Sequence, residues 1–132
     1  MQLYASPGRY EEAAALYLES ARLRPADDPQ AIECFAMAAR LLYYDGQLLR
    51  ARSTMQMAAE RALATGDVVR AANFYIDAAF IALEHRKTDA AWALVQRAEQ
   101  LSSSPLLEAG ERSAIERRIA PSRAVVATAM KH

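Results

Sequence analysis

Two stretches decide the fold: Phe35-Ala36-Met37-Ala38-Ala39-Arg40-Leu41 and Tyr75-Ile76-Asp77-Ala78-Ala79-Phe80-Ile81. Displacing the chain by 40 positions lays one on the other, with Phe35 on Tyr75, Ala38 on Ala78, Ala39 on Ala79 and Leu41 on Ile81. The same displacement carries Ala51 onto Ala91, Met55 onto Val95 and Ala58 onto Ala98. One segment reads large, small, small; the next reads small, large, small. These spacings of three and four residues are those of a single α-helical face. Small residues let two helix backbones approach closely, while the large one fills the space where neighbouring hairpins meet. A lone hairpin cannot bury both its faces, so copies stack and share a core.

Punctuation on either side of these stretches predicts six helices. Pro25 closes a first helix over 9–24, which follows Ser6-Pro7-Gly8. Asp28 caps a second with Pro29 at its first position, where the missing N–H costs nothing. It ends near Tyr44, and Asp45-Gly46 makes the turn into a third helix over 47–64. Gly66 suits a left-handed C-terminal position, and Asp67 caps the fourth helix, which closes on His85-Arg86-Lys87. Thr88 caps the fifth, ending near Leu101; Ser104-Pro105 opens a sixth over 106–120, where Pro121 stops it. Short turns force successive helices to run antiparallel. The expected fold is all-α, with antiparallel hairpins stacked as a short solenoid in a single domain over 1–132. That domain divides into a repeat-like core over 8–103, a capping helix over 104–120 and a tail over 121–132, whose stretch 122–130 could form a short amphipathic helix capping the last hairpin or stay loose.

Composition narrows the function. The chain has 132 residues and is 53% hydrophobic, too apolar for disorder and long enough for one domain. Lys+Arg 16 balance Asp+Glu 16, which removes the usual electrostatic reason to expect nucleic acid or an anionic membrane. The N-terminus has no signal-peptide pattern and no apolar run approaches a membrane span, so a cytoplasmic location is expected. One cysteine, Cys34, excludes an internal disulfide and reads as a buried, inert thiol. The two histidines, His85 and His132, stand at a helix end and at the last residue, and no metal-binding, phosphate-loop or nucleophile motif is present. Neither enzyme activity nor a metal or other cofactor is expected.

The stretch Gly8-Arg9-Tyr10-Glu11-Glu12-Ala13, continued by Tyr17, Ser20 and Pro25, resembles the second helix of a tetratricopeptide repeat (TPR). Phe35, Ala38, Ala39 and Leu42 match the first-helix pattern of that family, and Tyr75, Ala78, Ala79 and Ala82 repeat it. The period exceeds the family's usual length of about 34 residues, so the hairpins here would be longer by about a turn. The resemblance covers 8–103 and implies a groove lined by the first helices of the hairpins, binding a segment of another protein. Carried over by position, the partner-binding residues are Glu33, Arg40, Tyr43 and Tyr44 on one helix. Asn73, Asp77, Phe80 and Glu84 are their counterparts on the next. Tyrosine packs apolar surface while offering a hydroxyl, and Arg40 suits a two-pronged contact to a carboxylate.

Competing roles stand beside these. Tyr43 and Tyr44 could seal a hairpin end, Ile76 and Phe80 could be core, and Met37, Met55 and Met57 could fill core gaps. Trp92 reads as a hairpin seal or as an anchor for a partner. The first helix has no antecedent and is expected to expose a flank of Ala14, Tyr17 and Leu18. A second copy of the chain (a homodimer) or flanking repeats of a longer chain would cover it. Two alternatives to an interaction module remain open. One is a small-molecule pocket between hairpins lined by Met55, Phe74 and Trp92. The other is a nucleic-acid adaptor using the basic C-terminal segment around Arg112, Arg117, Arg118 and Arg123.

Overall fold

A computed structural model describes residues 8–131. The Ser6-Pro7 lead-in, the N-terminal segment judged against signal peptides, and His132 lie outside the described residues. The described residues form six α-helices and no strand. They are α1 (Arg9–Arg22), α2 (Pro29–Tyr44), α3 (Leu48–Ala64), α4 (Val68–Glu84), α5 (Thr88–Leu101) and α6 (Ala109–Met130). Each packs against the next, and α6 also packs against α4. Ion pairs tie alternate helices together. Arg50 of α3 reaches Glu11 of α1 (3.3 Å), Arg70 of α4 reaches Glu33 of α2 (3.7 Å), and Arg118 of α6 reaches Asp77 of α4 (3.0 Å). The helices therefore form two layers, α1-α3-α5 and α2-α4-α6, with an alanine-rich core between them.

Local sequence explains most boundaries. The Asp28 side chain accepts the Gln30 N–H (2.8 Å) and Asp67 accepts that of Arg70 (3.2 Å), the two expected caps. Helices α2, α3 and α4 all end in the same way. The N–H groups of Gly46, Gly66 and Arg86 donate to the carbonyls of Tyr43, Leu63 and Leu83; those of Gln47, Asp67 and Lys87 donate to Leu42, Ala62 and Ala82. These paired bonds require a left-handed residue, and Gly46, Gly66 and Arg86 supply it at φ 83°, 84° and 60°, twenty residues apart. The fifth helix begins one residue earlier than Thr88 capping would give, with Lys87 at the cap and no side-chain bond there.

Arg86 bears a cost that the two glycines avoid, because its Cβ crowds the backbone in this conformation. Replacing Arg86 with Gly is expected to stabilise the fold by about 1 kcal/mol, despite the added freedom of the unfolded chain. Thermal unfolding should show a midpoint higher by about 4 °C.

Burial follows the sequence pattern. Phe35 and Tyr75 are each 3% exposed, and each carries an arginine of the following helix over its ring, Arg61 at 5.0 Å and Arg97 at 5.7 Å. Ala38, Ala58, Ala78 and Ala98 are wholly buried, as are Ala51 and Ala91. Cys34 is buried, with its thiol 3.7 Å from the Ser20 hydroxyl.

Two expectations need correction. On α1, Ala14 is buried and Leu18 is half-buried; the outer face carries Leu16 and Leu23, 73% and 77% exposed, while Tyr17 sits at its edge. The helix turns its small Ala14–Ala21 stripe to the core, where close approach to α2 rewards small side chains. The second correction concerns the C-terminus. Ser104 accepts the Leu106 N–H (3.1 Å), but the turn it starts does not propagate, because Leu107 is buried and a reciprocal Glu108–Glu111 capping box starts the helix at Ala109. Pro121 does not stop the helix either: 121–130 is helical, the first of the two forms expected of that stretch, but it continues α6 instead of forming a separate helix. Pro121 is exposed, whereas Ile115, Ile119, Ser122 and Val126 form a buried stripe that continues past it. Packing of that stripe outweighs the lost hydrogen bond.

Candidate functional site

Helices α2 and α4 run parallel, because α3 returns antiparallel between them, so their C-terminal ends lie at the same end of the molecule. Between them opens a groove with a cavity of about 430 Å³. Its walls come from Arg40, Tyr43 and Tyr44 of α2 and from Asp77, Phe80 and Glu84 of α4. Six of the eight residues singled out from the sequence therefore line one depression. Met55 of α3 forms part of the floor, with Ile81 and Leu83 beside it. Glu33 and Asn73 lie further along the same helices. Glu33 pairs with Arg70 (3.7 Å) and Arg40 (3.9 Å), and Asn73 accepts a bond from Arg118 (2.7 Å).

Burial separates the competing roles of neighbouring residues. Ile76 is fully buried core, whereas Phe80 is 40% exposed at the cavity wall. Tyr44 is 64% exposed and contacts Tyr43 (ring centroids 5.6 Å) and Tyr10 of α1 (5.8 Å), so the tyrosines close the hairpin end and also edge the groove. The methionines divide: Met55 is buried, Met37 half-buried with its sulfur 3.3 Å from Arg40, and Met57 exposed. Trp92 is half-buried beneath Arg123 (5.8 Å). Neither Phe74, which is buried, nor Trp92 lines this cavity.

The sequence placed Arg118 in the basic C-terminal segment and not at the groove. Forty-five residues after Asn73, its guanidinium donates to the Asn73 side-chain oxygen (2.7 Å) and to the Asp77 carboxylate (3.0 Å), fixing two groove residues from α6. No spacing rule could reveal it, because the contact depends on α6 folding back over α4. Two further arginines of the basic C-terminal segment are engaged, while Arg117 is exposed. Arg112 donates to the carbonyls of Ser102 and Ser104 (both 2.8 Å), and Arg123 pairs with Glu99.

The Tyr43 hydroxyl and the Glu84 carboxylate both line the groove. Interaction with that carboxylate foremost, then partial burial and the Glu84 charge, raises the Tyr43 pKa above the ordinary tyrosine value. A folded-state pKa above the unfolded one means that the folded chain holds the proton more tightly. Its stabilisation is thus complete below about pH 10 and declines as pH rises through the folded value. In the Glu84→Gln variant, the Tyr43 ring signals should titrate at lower pH than in the wild type. Unchanged titration would refute the coupling.

Among the described residues, no group of three or more His, Cys, Asp or Glu side chains is arranged to hold a metal, and no helix is long and apolar enough to cross a membrane. Comparison with protein-family models, curated proteins and solved structures finds no match for this chain.

Proposed function

We propose that the chain is a non-catalytic protein–protein interaction module of the TPR-like kind, which takes a segment of a partner protein into the α2–α4 groove. The observation that carries this reading is the convergence of exposed Tyr44 and Phe80 with Arg40 around one apolar-floored depression. Exposed aromatic and arginine side chains beside a pocket are the usual anchors of protein recognition. The alternation of two helix layers and the three like turns support the repeat reading. A cytoplasmic working place belongs to it, with Cys34 as a free buried thiol. The outer face of α1, with Leu16 and Leu23, would be covered by a second copy or by flanking repeats.

A pull-down comparing the wild type with the Arg40→Ala/Tyr44→Ala variant tests the groove. Both side chains are substantially exposed, so circular dichroism should show an intact fold. Partner recovery should fall at least about tenfold, the effect of losing about 1.4 kcal/mol of binding. Recovery of the same partners at equal strength would overturn the reading.

A further inference from the structure

We propose that the open end of the groove receives a basic side chain, so that the partner segment carries a Lys or Arg beside its apolar anchor. This rests on the groove reading above and adds the chemistry of the occupant. Three charged side chains line the cavity: Arg40, Asp77 and Glu84. Asp77 is neutralised by Arg118 at 3.0 Å, and Arg40 leans towards Glu33 at 3.9 Å. Glu84 has no cation within ion-pair distance among the described residues; its neighbour is the neutral Tyr43 hydroxyl. It is the last residue of α4, and α2 ends at Tyr44 on the same side, so the negative ends of two helices add to its field. The cations that follow it point elsewhere: Arg86 and Lys87 line a separate depression with Arg52 and Asp89.

The surrounding rings favour the same ligand. Tyr10, Tyr44 and Tyr43 form a contacting row, and Phe80 stands on the opposite wall. Aromatic faces attract cations, and three rings of this chain already carry one. Arg61 lies over Phe35, Arg97 over Tyr75 and Arg123 over Trp92. Among the described residues no such guanidinium sits over Tyr43, Tyr44 or Phe80. A purely apolar segment would cover Glu84 without a counter-charge, and an acidic one would be repelled. A basic side chain supplies both the ion pair and the cation for the rings.

The test is selection of a random linear peptide library on the immobilised full chain, with the Tyr44→Ala/Phe80→Ala variant as a parallel target. Peptides that need the wild-type groove should be enriched in Lys or Arg next to an aliphatic or aromatic residue. Resynthesised peptides should bind Glu84→Gln about tenfold more weakly, and selection on Glu84→Lys should lose the basic preference. Groove-dependent peptides without basic residues, or with affinity unchanged by Glu84→Gln, would overturn the cation proposal and leave the groove reading standing. Peptides that bind the Tyr44→Ala/Phe80→Ala variant equally well, or a selection that enriches none, would overturn both.

Discussion

Replacing Pro121 with alanine should make the protein more stable, by about 2 kcal/mol. Inside a helix, proline is about 3 kcal/mol less favourable than alanine, because it removes a hydrogen bond and crowds the preceding turn. Part of that cost is offset because proline also restricts the unfolded chain, by up to about 1 kcal/mol. Pro121 is exposed, so the substitution leaves no cavity. The melting midpoint should rise by about 8 °C, and amide exchange should slow across 117–126. An unchanged or lowered midpoint would mean that α6 breaks at Pro121 and that 122–130 does not pack as the buried Ser122 and Val126 require. Arg118 makes this matter for the groove, since it lies within the turn that the proline weakens and holds both Asn73 and Asp77.

The opposite sign is expected for Ala78→Leu. Ala78 is wholly buried on α4, among Ala71, Ala72, Ala79 and Ala82, all no more than 1% exposed. A methyl group replaced by an isobutyl group must push the helices apart or force strained rotamers, at a cost of about 2–3 kcal/mol. The midpoint should fall by about 10 °C. Ala15→Leu, on the exposed side of α1, is the control and should change stability by less than about 0.5 kcal/mol. Tolerance of leucine at Ala78 would remove the physical basis of the hairpin stack, because the close approach of its backbones rests on such positions.

The groove was legible to the extent that it follows from helical periodicity. Arg40, Tyr44, Phe80 and Glu84 share positions displaced by 40 residues, and parallel α2 and α4 bring them to one depression. What periodicity could not resolve was the rotation of each helix. It left open whether Phe80 was core, and it put Ala14 on the exposed flank, whereas Phe80 faces the groove and Ala14 faces α2. Met55 was visible as a large residue between alanines, but its place beneath the groove depends on how α3 underlies α2 and α4.

Local chemistry alone determined the helices, their caps at Asp28 and Asp67, and the turns at Gly46 and Gly66, because hydrogen-bond needs and backbone sterics act within a few residues. Tertiary packing decided the run of α6 through Pro121, the left-handed Arg86 and the clamp of Arg118 on Asn73 and Asp77. In each of these a local preference was overruled, or a distant partner supplied, by burial that exists only once the layers have come together.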